Sequence, residues 1–379
     1  MKNLTGLTII LSACLLTACG SENPDRQAPP ETGKYITVEG EQVQTMADPK
    51  VNILFVVDNS GSMKPHQATM QKNVELFAKH FLSNPRIDYK IGVVPVYDRK
   101  YLNDPVVYPT AGLRKMNPLG ELVQLKGKSP DDKSSNLFIT RKTLNARKVL
   151  VETVAIGTQW GPEAEESFSP VIAVMDPTIN KEKNGDFYDQ DAYLAVIFLT
   201  DADDVTPGLS GSDFYDQLVA LKGGNRSKVL IAAAIPSLNN NSAECAKDGK
   251  GPLQAFPDLL ARSGGIQADL CAGDFGKRLA SFGRYLVQRV GTQKVALGFT
   301  PDIKSIQVTY GRPGSSESER LTVPRGMNGY LFNPDSNEIM LSPDMDMPRQ
   351  EGGVVFVKAI PANLANYKNG RLKEIDYSK

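Results

Sequence analysis

The chain has 379 residues, 41% of them apolar, enough to bury the core of one large domain and of a smaller one. It carries 43 basic and 43 acidic residues, so no overall field draws it onto nucleic acid. No aromatic residues are interleaved with Lys or Arg as a base-stacking platform requires, and nucleic acid is excluded as the expected partner.

In chain order the first element is a targeting segment. Met1-Lys2 is a short basic start, and Leu4 to Leu16 is an apolar stretch. It is shorter than the roughly 20 residues of a spanning helix and suits the apolar region of a secretory signal. It ends in Leu16-Thr17-Ala18-Cys19, which resembles the lipobox of bacterial lipoproteins. The resemblance implies a signal peptide over 1–19 and a lipidated Cys19 that anchors the mature chain in a membrane through several acyl chains. Gly20 and Ser21 follow, with no Asp at the second position, which in that class implies a cell-envelope lipoprotein placed in the outer membrane if the cell is Gram-negative. An ordinary cleaved signal with an incidental Cys19 is the alternative. Export leaves Cys245 and Cys271 in an oxidising setting, since Cys14 departs with the signal. A disulfide between them would close a loop worth roughly 3–4 kcal/mol; a metal pair is the alternative, with no neighbouring Cys or His to support it.

Residues 20–47 read as a polar, Pro-rich tether followed by a short edge pair at Tyr35 to Thr45 around Glu39-Gly40. Ile53-Leu54-Phe55-Val56-Val57 is an unbroken apolar run rich in β-branched residues, as in a parallel strand buried on both faces. A helix is expected from Gln67 to Leu82, with Met70, Val74, Leu76, Phe77 and Phe81 on its apolar face. A strand follows at Tyr89 to Tyr97, then an irregular stretch with a hairpin around Gly120-Glu121-Leu122-Val123. Helices are expected at Asn145 to Ile156, Glu163 to Met175, Ser212 to Leu221, Phe256 to Arg262 and Phe275 to Val290. Tyr193 to Leu199 and Lys228 to Ile235 are two further buried-strand runs. This alternation predicts a doubly wound α/β domain with a mostly parallel sheet over 48–292. From 293 to 367 six short strand-like runs, separated by turns such as Arg312-Pro313-Gly314 and Asn333-Pro334-Asp335, predict a small β-rich module. Residues 368–379 are a polar tail.

The first strand run leads straight into Asp58-Asn59-Ser60-Gly61-Ser62-Met63. In an extended segment, side chains two residues apart share a side, so Asp58, Ser60 and Ser62 can converge beyond the carboxyl end of the strand, where open α/β sheets bind ligands. Gly61 is expected to permit a tight turn. One carboxylate and two hydroxyls form an oxygen donor set suited to a hard divalent cation. The hydroxyls are neutral, so the ion would retain charge to attract a carboxylate.

Asp-x-Ser-x-Ser after a buried strand resembles the metal-ion-dependent adhesion site of von Willebrand factor A domains. That family adds a Thr from a second loop and an Asp from a third. Phe198-Leu199-Thr200-Asp201 matches the third loop, so the resemblance implies Asp201 as a ligand, through water. Ile156-Gly157-Thr158 stands where the second loop falls and makes Thr158 the candidate, with Thr140 and Thr143 as alternatives. The family usually has Gly after the Asp; this chain has Ala202-Asp203-Asp204, read as solvated loop acids that hold water or add negative charge. Trp160 either flanks the metal face or packs under the loop. The resemblance covers 48–292, and the full order from lipobox to β-rich end is similar to exported A-domain lipoproteins of predatory and gliding bacteria.

No phosphate-binding loop and no Gly-x-Ser-x-Gly elbow is present, and His66 has no evident orienting acid. The expected function is therefore binding, not catalysis. Magnesium, or manganese or calcium, held by Asp58, Ser60, Ser62, Thr158 and Asp201 takes an Asp or Glu side chain of a protein partner, in an adhesion protein of the cell envelope. A metal-assisted hydrolase using Asp204 or His66 as base, or a structural periplasmic scaffold, are the alternatives.

Overall fold

The computed structural model describes residues 36–38 (backbone only), 49–84, 87–99, 119–158, 164–237, 253–272, 275–298, 300–343, 345, 353–360, 362, 367–368 and 371–372. Cys19, expected to be lipidated, and Cys245 and Trp160 lie outside them. Among the described residues no helix is long and apolar enough to cross a membrane.

Strand β1 (Ile36–Val38) belongs with the C-terminal unit and is taken up there. The larger unit is built on β2 (Lys50–Val57), β3 (Asp88–Pro95), β4 (Phe138–Ile139), β5 (Tyr193–Leu199), β6 (Val229–Ile235) and β7 (Ile266–Asp269). They form one six-stranded sheet in the order β4-β3-β2-β5-β6-β7. All neighbours run parallel except β4, which pairs antiparallel with β3 at the edge. The protein is thus mixed α/β with a mostly parallel sheet. β2 is central and buried from Val51 to Val57 without alternation, as a strand covered on both faces should be.

Each interior strand feeds two cores. Ile53, Phe55 and Val57 of β2, with Ala195, Ile197 and Leu199 of β5, pack against α1 (Gln67–Phe81), α2 (Ala146–Val154) and, once the chain has crossed the sheet again, the long C-terminal helix at Gly276–Gly291. Leu54, Val56, Val196 and Phe198 point the other way, toward α3 (Phe168–Val174), α5 (Gly211–Leu221) and α6 (Ala255–Ser263); α4 (Pro177–Glu182) follows α3, and the Gly276–Gly291 helix is α7. The second core is stitched by Phe168, Phe198, Phe214 and Phe256, with Phe168 and Phe214 stacked at 4.3 Å. A ring of this kind stabilises by roughly 2–3 kcal/mol on burial. On the other face α7 lies so close to α1 that a Cβ at Gly276 would collide with Asn73.

Several expectations are corrected. Leu76 is not on the buried face of α1; it is 36% exposed. The helix expected from Glu163 starts only at Phe168. No strand lies at Gly120–Val123; Val123 instead donates its backbone N–H to the Val93 carbonyl at 2.9 Å, and the edge partner of β3 is β4. α4, capped by Asp176, has no counterpart in the expected elements.

α7 is followed after Thr292 by β8 (Gln293–Ala296), the start of the C-terminal unit. β9 (Gln307–Gly311), β10 (Leu321–Val323), β11 (Tyr330–Asn333), β12 (Glu338–Leu341) and β13 (Val354–Ala359) complete two small antiparallel sheets, β1-β13-β9-β10 and β11-β12-β8. They share one core of residues such as Val308, Tyr310, Ile339 and Val357. Ile36–Val38, expected in a local edge pair, adds instead to β13, so the N-terminal segment completes the C-terminal sheet. β14 (Tyr367–Lys368) and β15 (Arg371–Leu372) form a short hairpin that runs into the expected tail. The two units touch where the Asn84 amide donates to the Pro343 carbonyl at 3.0 Å and Pro343 packs against Gly291.

Candidate functional site

β2 and β5 end side by side, with Val57 opposite Leu199, and the Asp58 N–H continues the ladder to the Leu199 carbonyl at 2.9 Å. This register brings the segment after each strand to the same place at the carboxyl edge of the sheet. Asp58 is wholly buried there. Its Oδ1 accepts from the Ser60 N–H at 2.8 Å and its Oδ2 from the Thr200 hydroxyl at 2.7 Å. The Ser60 and Ser62 hydroxyls lie 2.9 Å apart, and Ser62 donates to Asp201 Oδ1 at 2.9 Å. Four of the five expected residues, Asp58, Ser60, Ser62 and Asp201, therefore meet in one hydrogen-bonded string of oxygens that spans two loops.

The way they converge differs from the extended alternation expected. Ser60 is extended, with φ −64° and ψ 162°, but Gly61–Met63 then closes a single 3-10 turn, with Ser62 within it. Gly61 does not take a positive φ, and a Cβ there would meet nothing within 4 Å, so the turn does not depend on glycine.

Thr158 lies just beyond α2, half-buried, on the rim of a cleft that also borders Asn59. Among the described residues no hydrogen bond joins it to the other four. The alternatives are engaged elsewhere: the Thr143 hydroxyl accepts from the Thr140 N–H and pairs with Ser134, and the Thr140 hydroxyl accepts from the Lys142 N–H.

Burial, and then the neighbouring charge of Asp201, raise Asp58 above the ordinary carboxylate range, against the pull of hydrogen bonds from Ser60 and Thr200. Thr200 is a contributor that sequence reasoning passed over, although it stands in the Thr-Asp pair that identified Asp201. Its hydroxyl both donates to Asp58 and accepts from the Ala202 N–H at 3.1 Å, so one side chain fixes the carboxylate and the turn beside it.

Asp203 and Asp204 are not solvated loop acids. Asp203 accepts from the backbone N–H groups of Gln254, Ala255 and Phe256, at the start of α6. Asp204 is buried and accepts from Ser167 and Phe168, at the start of α3, and from the N–H and hydroxyl of Thr206. Each fills the role of a capping acid from a distant loop, satisfying N–H groups that a helix cannot pair internally. Burial nevertheless pushes Asp204 up to about 6.

Among the described residues no group of three or more His, Cys, Asp or Glu side chains could hold a metal ion; the string at Asp58 contains two carboxylates, and its other members are hydroxyls. Cys271 is disulfide-bonded.

No family model matches the chain, and no curated protein matches it. It is similar to proximal thread matrix protein 1 from the mussel byssus, at 12% identity and a TM-score of 0.36, over 66% of this chain and 50% of that one. It is also similar to the pilus adhesin SpaC from Lactobacillus rhamnosus GG, at 11% identity and a TM-score of 0.34, over 89% of this chain and 42% of that one. The chain spans half or less of the length of both structures, and likenesses this distant carry no argument about function.

Proposed function

We propose that the chain is a lipid-anchored binding protein of the cell envelope, with an α/β unit of the von Willebrand factor A type. In this reading Asp58, Ser60, Ser62, Thr158 and Asp201 hold magnesium, or manganese or calcium, and the site receives an Asp or Glu side chain of a protein partner. The observation that carries the reading is the string of oxygens from Asp58 to Asp201, assembled from two loops at the ends of neighbouring parallel strands.

The residues fit a divalent cation. The donor set is all oxygen, as hard cations prefer. Asp58 is buried against the charge of Asp201, an arrangement that a cation relieves. When bound, the ion supplies positive charge that the neutral Ser hydroxyls leave partly unoffset, and a carboxylate is attracted to it. The chain's own residues supply the positioning. Ser60 N–H and the Thr200 hydroxyl hold both oxygens of Asp58 in place, and Asp203 and Asp204 tie the Asp201 loop to two helices. Binding then loses little to ordering the loop, which favours affinity.

The test is a pull-down from envelope extract with the immobilised protein. The reading expects a partner retained in magnesium, released by EDTA and not retained by Asp58→Ala. Equal retention by Asp58→Ala would overturn it.

A further inference from the structure

Next to the Asp58 loop lies an open cleft of about 1030 Å³, lined by Asn59, Lys64, Lys126 and Thr158 among others. Its lining includes Pro95, Val123, Leu125 and Ile156, and the glutamines Gln67, Gln71 and Gln124. Three features of this lining point to one kind of occupant. Among the described residues that line it, Lys64 and Lys126 are the charged ones, although the chain as a whole balances 43 basic against 43 acidic residues. Gln67 belongs to the lining, and its buried Nε2 meets no acceptor among the described residues. Lys126 spends a proton on the Ala155 carbonyl, and burial lowers its affinity for its charge, which an arriving carboxylate would restore. The volume exceeds what a small carboxylic acid fills and suits an elongated ligand, since small-molecule pockets run to about 300–1,000 Å³.

We propose that this cleft receives an extended polypeptide segment of the partner, acidic and partly apolar, flanking the Asp or Glu that reaches the Asp58 site. The inference rests on the binding function proposed above and adds the partner's chemistry. Its carboxylates face Lys64 and Lys126, and its apolar side chains cover Val123, Leu125 and Ile156.

The probe is a fluorescent decapeptide of alternating Glu and Leu, read by anisotropy with the full-length protein in magnesium. The proposal expects binding, a loss of about tenfold in K64E/K126E, and little change in K181E/K304E, which reverses two lysines outside the cleft. A matching Gln–Leu peptide should bind weakly. Thermal melts show whether K64E/K126E is folded; K64Q/K126Q, which removes charge without reversing it, is the second variant and should lose affinity in the same direction. Binding that persists in EDTA and in Asp58→Ala yet needs the lysines would support the cleft and contradict the metal reading. Binding abolished by EDTA but indifferent to both lysine pairs would support the metal reading and overturn the cleft. Equal losses in K181E/K304E, equal binding of a thymidine decanucleotide, or no binding of the Glu–Leu peptide at millimolar concentration would each overturn it.

Discussion

Asp58 follows β2, and Asp201, Asp203 and Asp204 follow its neighbour β5, yet Asp58 and Asp201 on one side and Asp203 and Asp204 on the other have surroundings opposite in kind. The first pair is joined through serine hydroxyls, and each carboxylate faces another. The second pair accepts from backbone donors and the Thr206 hydroxyl, with each carboxylate spent on the start of a helix. Acids of identical chemistry and neighbouring sequence thus divide into two groups. One is gathered where the proposed cation would sit, and the other holds the loop beside it. Affinity and stability should therefore separate when the acids are changed one at a time.

The largest effect is expected at Asp204. Replacing it with Ala leaves the N–H groups of Ser167, Phe168 and Thr206 without their acceptor, and should cost about 3 kcal/mol in urea unfolding. A pH series sharpens the point. Asp204 moves from 3.8 in the unfolded chain to about 6 in the folded one. A raised carboxylate contributes stability that is fully present below pH 3.8 and lost as pH rises through about 6, an amount approaching 3 kcal/mol. Asp204→Asn should flatten that part of the stability curve; an unchanged slope would mean that burial does not govern this group.

Next in size is Thr200→Val, which removes the donor to Asp58 Oδ2 and the acceptor for the Ala202 N–H while keeping the shape of the side chain. It should cost about 1–2 kcal/mol and also weaken the response to magnesium, because it frees one oxygen of Asp58 and loosens the turn at Ala202. Asp203→Ala should cost about 1 kcal/mol, as the loss of a helix cap does, and leave the magnesium response intact. If Asp203→Ala instead abolished that response, the division between presenting and binding acids would fail.

Much of this arrangement was legible in the chain, for reasons that differ by element. Ile53–Val57 and Tyr193–Leu199 announce themselves because strands covered on both faces need no polar positions. Asp58 and Asp201 follow from where those strands stop. What the sequence conceals is set by distant contact. The start of α3 is fixed by Asp204, 36 residues away, so a run beginning at Glu163 reads as helix when the first turn in fact begins at Phe168. The same contact turns an acid that reads as solvated into a buried cap. Phe138–Ile139 is too short to show a period, and Ile36–Val38 finds its partner at the far end of the chain. The alternation argument assigned Ser62 to the right place by the wrong route, because a 3-10 turn and an extended segment both return it toward Ser60.

Calorimetric titration of magnesium or manganese into protein stripped with EDTA tests the central claim most directly. A cation held by the Asp58 string should bind saturably at one site per chain, raise the melting temperature, and be lost in Asp58→Ala and Asp201→Ala but kept in Asp203→Ala. No heat and no melting shift at millimolar metal, or binding that survives Asp58→Ala, would contradict it.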